Sequence, residues 1–443
     1  MVSRLIMSPA SFSLLQTFIF HKINTMQKVK IIRLKNLSSQ SKKLIFEGQR
    51  ESARLWNFCV ATHKKAREAR EEWPTKETLR TGVKPLNLKM HSQSIQATIA
   101  QFLANVDTAC QIKKENKKIR LPYKEKNFYP LMWPKQAVKV CSNHLLLPMG
   151  RGRSSLILPM KTEDIEAGAC TLVWNNGYEL HLVYEQEDIP KIESEIKATV
   201  DLGQIHLAAV MTSNGESLVV SGREIRAQKR QINKAIRRTS KRLQRCNLKS
   251  RKWRKIQRAK RKVIDRSKRR IRDLRHKATT KVIDFCKDNN VSKVFVGNPD
   301  GVRKKSTGRR HNQRLAGWEY GKDMEYLKYK TKQAGIESFN GSERGTSSHC
   351  PDCGLRKKVK GRWWKCTKCT FECHRDIVGA INMFPLAFDT KVAAPKKPTY
   401  LRIPLGKSSS SLGTGQSCLN ACMVSSQPLV GVAQTTGHCC ASV

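Results

Sequence analysis

Between Arg223 and Lys277 the chain sets 26 lysines and arginines against three acids, Glu224, Asp265 and Asp273, a net charge of +23 within 55 residues. Inside that run Ile225, Ile232, Ile236 and Leu243 recur at near-heptad spacing, and Trp253, Ile256, Val263, Ile264, Ile271 and Leu274 form a second stripe. Asn247 and Ser250 fall between the stripes, where a turn belongs. The spacing predicts two long helices folded back on each other as an antiparallel hairpin. Charge spread around both helices exceeds what a solvated face needs, and it calls for a polyanion whose counterions can be released. The whole chain of 443 residues carries 85 Lys and Arg against 35 Asp and Glu, +50 in all, so nearly half of the excess sits on this one segment. Such a balance excludes most enzymes of small metabolites. With 39% hydrophobic residues, including 8 Trp and 13 Phe, the chain is also too apolar for a disordered polycation. Nucleic acid is the expected partner and an anionic membrane the alternative. No apolar run reaches the roughly 18 residues of a membrane-crossing helix, so no membrane is expected among the partners.

The 15 cysteines do not read as a secreted disulfide scaffold, because the count is odd and the chain is long. Two Cys-x-x-Cys pairs stand out, Cys350 with Cys353 and, twelve residues on, Cys366 with Cys369. Each short turn lets two thiolates face one ion, and two turns close a tetrahedron with no open position. That spacing predicts a structural zinc ribbon in a reducing, cytoplasmic compartment. Cys373 and His374 lie close by but are surplus to four-coordinate zinc.

Elsewhere the pattern is mixed. Arg4 and the apolar stretch Leu5–Phe20 are expected to be a leader from an upstream start, with the fold beginning at Met26. Residues 26–195 read as a β domain. A strand at Met26–Leu34 and strands from Ile119 to Tyr184, including a hairpin at Asn175-Asn176-Gly177, flank a helical insert at about 38–115. A further strand is expected over Lys197–Val210, then Ser217–Ser221, the basic hairpin, another helix to about Asn289, Val291–Val296, a basic loop through Arg314, a helix over Trp318–Gln333 and a strand at Gly335–Phe339. The ribbon occupies 346–372, a last helix 373–388, and residues 389–443 are expected to be disordered. Basic residues interleave with Tyr123, Phe128, Tyr129 and Trp133, a composition suited either to stacking on unpaired bases or to a domain core. The fold class is α+β and multidomain.

In so basic a chain, an acid within an apolar strand needs a reason. Asp201 sits in Ala198-Thr199-Val200-Asp201-Leu202-Gly203, and Asp376 opens the helix His374-Arg375-Asp376-Ile377-Val378-Gly379-Ala380-Ile381-Asn382. Taken alone, the first is a turn residue or a ligand, and the second a helix-capping acid or a ligand. Together with Thr346-Ser347-Ser348-His349-Cys350-Pro351-Asp352-Cys353-Gly354, these strings resemble the TnpB family of RNA-guided nucleases of insertion sequences, similar to compact type V CRISPR effectors. The resemblance runs from about Met26 to Met383. It implies an N-terminal β-barrel-like domain with a helical insertion, and an RNase H-like (RuvC) α/β nuclease core at 196–345. That core would be interrupted by the basic helical hairpin, at 223–289, and by the four-Cys zinc ribbon.

The resemblance further implies Mg²⁺ held by three acids, with Asp201 and Asp376 at the first and third positions. Where most members carry the second, a Glu, this chain reads Gly297-Asn298-Pro299-Asp300. Three readings follow: Glu343, just before the ribbon, supplies the missing carboxylate; Asp300, in a Pro-Asp-Gly turn, supplies it; or the third ligand is lost and the protein binds without cutting. The expected partners are a guide RNA and a double-stranded DNA target. The expected activity is Mg²⁺-dependent DNA cleavage associated with a transposable element. Alternatives are a nuclease-dead, RNA-guided DNA-binding protein and a transposase or its accessory. Arg309, Arg310 and Arg314 are candidate phosphate contacts beside the site.

Overall fold

The computed structural model describes residues 25–159, 167–187, 189–299, 308–357, 361–390, 392 and 394–404. The expected leader before residue 25, the tail after residue 404 and Asp300 lie outside the described residues.

Nine alternating residues form β1 (Thr25–Arg33). The helical insert follows as α1 (Ser39–Ala69), α2 (Lys76–Gly82) and α3 (Ser92–Glu115). Ser38 starts α1 by accepting the Ser41 amide at 3.0 Å, and Arg70 ends it in the left-handed region at φ 58°. Next come β2 (Leu131–Trp133), β3 (Lys139–Cys141), β4 (His144–Leu147), β5 (Leu156–Pro159), β6 (Ala167–Trp174) and β7 (Tyr178–Glu187). They make two antiparallel sheets, one ordered β1-β7-β6-β2 and one β3-β4-β5. Strand pairing among the described residues does not close these sheets into a barrel; one shared core, with Leu131, Leu145, Leu158, Leu172 and Leu180 among its members, joins them. The β6–β7 hairpin turns where expected, with Asn176 at φ 52° and Gly177 at φ 146°.

Most of the expected stacking aromatics serve this domain's core. Trp133 is buried and donates Nε1–H to the Pro148 carbonyl at 2.7 Å, Tyr129 stacks on Trp56 at 4.4 Å, and Tyr123 shares a 2.7 Å hydrogen bond with His63. Phe128 alone of the four is exposed, against Phe46.

The second half is built on β8 (Lys197–Leu202), β9 (His206–Thr212), β10 (Ser217–Ser221), α4 (Arg223–Gln244), α5 (Arg251–Asp288), β11 (Lys293–Asn298), α6 (Arg309–Ala316), α7 (Tyr320–Gln333) and β12 (Glu337–Ser342). It ends in β13 (Trp363–Lys365), β14 (Glu372–His374), α8 (Arg375–Phe388) and β15 (Thr399–Leu401). Its six-stranded sheet has the order β12-β11-β8-β9-β10-β15. β8, β11 and β12 run parallel, so their carboxyl ends share one edge of the sheet. β9 and β10 continue antiparallel on the other side of β8.

Four expectations need correction here. The apolar run Lys197–Val210 is two strands, because the chain reverses after Gly203, where a Cβ would meet the His206 carbonyl oxygen at 2.6 Å. The hairpin's second helix and the helix to Asn289 are one 38-residue element, α5, started by Ser250 accepting the Trp253 amide at 3.2 Å. The basic loop through Arg314 contains α6. Thr399–Leu401, in the expected disordered tail, pairs in parallel with β10.

The C-terminal half of α5 buries Ile271, Leu274, Ala278 and Val282 in the sheet's core. Arg275 anchors it further: its guanidinium, 1% exposed, donates to Asp323 at 2.6 Å and to the Glu319 carbonyl at 2.8 Å. Lys229 of α4 reaches Glu319 at 3.2 Å, so both hairpin helices are tied to α7. Among the described residues no helix is long and apolar enough to cross a membrane.

Candidate catalytic and metal sites

The three expected acids arrive on different elements. Asp201 is near the carboxyl end of β8, Glu343 follows the carboxyl end of β12, and Asp376 lies in the first turn of α8. Helix α8 crosses the sheet closely because Thr199 Oγ1 donates to the Ala380 carbonyl at 2.7 Å and because Gly379 has no side chain. A Cβ on Gly379 would lie 2.6 Å from Asp201 Oδ2.

Glu343 reaches toward β11, the strand that lacks the expected acid. Gly297 pairs with Gly341, two residues before Glu343, and a Cβ on Gly297 would meet Glu343 Oε2 at 2.5 Å and Met383 Sδ at 3.0 Å. The carboxylate therefore occupies the space a side chain on β11 would fill. Its Oε2 is buried without a hydrogen-bond partner, an arrangement that costs about 1–3 kcal/mol or more for a charged group unless something cationic answers it.

The electrostatics differ between the acids. Burial pushes Glu343 up to about 7. Asp201 is held well above the ordinary carboxylate value by burial, then by the charges of Glu343 and Asp376, with Arg375 opposing. Asp376 goes the other way. Burial raises it, but the hydrogen bond from His206 and the Arg362 charge outweigh burial and hold it below its ordinary value. His206 Nδ1 meets Asp376 Oδ2 at 2.7 Å, and Arg362 Nη1 lies 3.2 Å from Oδ1.

Divalent oxygen-loving ions fit this donor set: three carboxylates, one with an unanswered buried oxygen, two held against ionisation by burial, and Asp201 also by the neighbouring acids. The three do not form a group with all ligand atoms within 4.8 Å, as a single ion would draw together; among the described residues two other groups do. One is Cys350, Cys353, Cys366 and Cys369. The other is His206, His374 and Asp376.

The four sulfurs have the spacing of a tetrathiolate. Cys350 and Cys369 Sγ are 3.6 Å apart, Cys353 and Cys366 3.5 Å, against about 3.8 Å for two thiolates on one zinc. The Lys368 amide donates to Cys366 Sγ at 3.3 Å and pulls that thiol down to about 6. Cys373 is buried beside Trp364 and stays outside the group.

A cavity of about 380 Å³ opens over Asp201 and Asp376. Arg226, His311, Arg314 and Arg362 also line it. Arg226, Arg314 and Gln204 also line a groove of about 1110 Å³ that continues past Arg310, Lys229, Arg230, Lys234 and Arg237 along α4. Burial, and then repulsion from Arg314, Arg230, Arg362 and Arg223, lower the pKa of Arg226, and no acid is among the described residues lining the groove. Glu343 does not line the cavity; it sits behind Asp201, over Gly297. His206 and Arg362 escaped sequence reasoning, since they acquire their places only when β9, the ribbon and α8 meet; Arg226 reaches the cavity from α4 and His311 from α6.

Residues 181–303 match a family model described as "Probable transposase", and residues 320–383 match one described as "Cas12f1-like, TNB domain". A TnpB-like protein of Methanocaldococcus jannaschii is 29% identical over 131 residues, 29% of this chain and 47% of the relative. A CRISPR-associated endodeoxyribonuclease Cas12f1 of an uncultured archaeon is 30% identical over 131 residues, 27% of this chain and 25% of the relative. A TnpB-like protein of Acidianus two-tailed virus is 24% identical over 212 residues, 47% of this chain and 46% of the relative. The chain thus spans less than half the length of each of these relatives. In fold it resembles the protein in a Cas12f1–sgRNA–target DNA complex, at TM-score 0.59 and 14% identity, covering 81% of this chain and 98% of that one. Two family models thus match in order across the sheet, the hairpin and the ribbon, and the chain is similar to TnpB-like proteins and to a CRISPR-associated Cas12f1 endodeoxyribonuclease.

Proposed function

We propose that this protein is an RNA-guided DNA endonuclease of a transposable element, cutting phosphodiesters at a RuvC-like site formed by Asp201, Glu343 and Asp376. The observation that carries the reading is the Glu343 carboxylate filling the space of the absent β11 side chain, with Oε2 buried and unpartnered. Family members related to this chain include one named as an endodeoxyribonuclease, and the similar solved structure is a complex with a guide RNA and target DNA.

Mg²⁺ ions held by the three carboxylates would supply an activated water and charge stabilisation at the leaving 3′ oxygen. The chain's own residues prepare that chemistry. Asp201 and Glu343 take up charge when cations arrive, which releases protons. His206 and Arg362 keep Asp376 ionised and fix its orientation. Arg226 and Arg314, which line the same cavity as Asp201 and Asp376, hold the phosphates of the cut strand, and the groove along α4 carries the adjoining duplex. The ribbon, with four thiolates for zinc, sets the position of Arg362 and of the start of α8.

A second reading, a nuclease-dead protein that binds DNA by guide pairing and acts by occupancy, draws on Gly297 alone. Glu343 over Gly297 favours cleavage. Protein carrying its co-purified RNA, incubated with a plasmid bearing the matching target and Mg²⁺, separates the two: the nuclease linearises the plasmid, and Asp201→Ala or Glu343→Ala binds it without cutting. Absence of product from the wild type across Mg²⁺ and Mn²⁺ concentrations would establish the occupancy reading.

A further inference from the structure

His206 on β9, His374 at the end of β14 and Asp376 on α8 place one ligand atom each so that all lie within 4.8 Å of one another. The nuclease reading uses Asp376 and leaves the imidazoles as its support. Both histidines are buried, and their rings meet edge to face with centroids 5.0 Å apart. Tyr400 of β15 closes the outer side, 5.7 Å from His374 and 6.4 Å from His206. His374 Nδ1 accepts the Asp376 amide at 3.2 Å, a bond that an ion bound by this ring displaces.

Two nitrogens and one carboxylate oxygen are a different donor set from the oxygen-only positions suited to Mg²⁺. Imidazole favours zinc and the later divalent transition ions. We propose that His206, His374 and Asp376 bind a zinc-class divalent ion, distinct from both the tetrathiolate ribbon and the carboxylate pair of Asp201 and Glu343. Two features of the ion-free geometry serve this role. A proton between His206 and Asp376 holds them at 2.7 Å and is what an ion displaces. Arg362 already neutralises Asp376, and with 44% of its side chain exposed it can swing away as the ion arrives. Because Asp376 is shared, an ion bound here withdraws a carboxylate from cleavage and makes zinc an inhibitor.

Equilibrium dialysis of the full-length protein against Zn²⁺, followed by metal analysis, tests the site without reference to cleavage, so failure of the nuclease reading would leave it standing. His206→Gln/His374→Gln and Asp376→Asn should each bind one zinc fewer per chain than wild type, with circular dichroism unchanged, while Asp201→Asn binds as many as wild type. Equal zinc in the wild type and the double histidine variant would overturn the proposal. Loss of a zinc in Asp201→Asn would overturn it too, by assigning the ion to the cleavage acids.

Discussion

Glu343 Oε2 stands 2.5 Å from the position a Cβ on Gly297 would take, so one residue on β11 and another beyond β12 compete for the same space. The parallel pairing of Gly297 with Gly341 brings about this overlap. The Glu343 carboxylate thus fills the space beside Gly297, and glycine at that position admits it. Gly297→Ala is accordingly expected to push Glu343 aside and reduce cleavage at least as far as Glu343→Ala does. Guided plasmid cleavage by the two variants, side by side, checks this.

Gly379 does for Asp201 what Gly297 does for Glu343. Alanine in a helix interior is ordinarily favoured over glycine by about 1 kcal/mol. At position 379 the added carbon would lie 2.6 Å from Asp201 Oδ2, so propensity and sterics oppose each other. Gly379→Ala should fold with an unchanged circular dichroism spectrum yet lose cleavage and Mn²⁺ binding, the latter read by electron paramagnetic resonance.

The raised carboxyls have a sign that can be measured. A carboxyl whose folded pKa lies above its unfolded value holds its proton longer when folded, so the ion-free protein loses stability as pH rises through that window. For Glu343 the window runs from about 4.5 to about 7. Asp323, also at about 7, contributes with the same sign, whereas Asp376 is lowered and acts only in the acid range. Thermal unfolding of wild type in Mg²⁺-free buffer should therefore carry a falling contribution to Tm from these carboxyls between pH 5 and 7, opposed by His63, His91, His276 and His374, whose pKa values burial lowers. Glu343→Gln should flatten part of that slope, and Mg²⁺ should remove the Glu343 part in the wild type. An identical slope in Glu343→Gln would contradict the assignment.

The ion pair beneath the hairpin gives a stability test away from the site. Asp323→Ala leaves Arg275, 1% exposed, without its 2.6 Å partner. Breaking a buried pair on one side costs about 3–5 kcal/mol. The predicted result is a loss of that size in denaturant unfolding, while Asp273→Ala, which removes an exposed partner of Lys277, changes stability by less than about 1 kcal/mol.

How much of this was legible in the sequence depended on how local the cause was. The hairpin was readable because its apolar stripes and its Asn247–Ser250 turn lie within one segment, and the ribbon because thiol spacing alone gives the geometry of four sulfurs. Asp201 and Asp376 stood out as acids in apolar runs. The reversal at Gly203 was hidden, since apolar residues continue on both sides and periodicity cannot register a turn that depends on the His206 carbonyl. β15 escaped for a related reason: Thr399–Leu401 becomes a strand by adding to β10, an edge nearly 180 residues earlier. His206 had no local signal at all, because its role rests on a hydrogen bond 170 residues away. Family position pointed to Glu343; the close approach to Gly297 gives the physical reason.

The most direct measurement moves the acid from beyond β12 onto β11. In Gly297→Glu/Glu343→Ala the space over β11 is vacated by one carboxylate and entered by the other, and the flexible Met383 side chain is the other neighbour that the added Cβ meets. Guided plasmid cleavage should be absent from Glu343→Ala and recovered in the double variant. Full activity in Glu343→Ala would contradict the account, since the Glu343 carboxylate would then have no part in the cut.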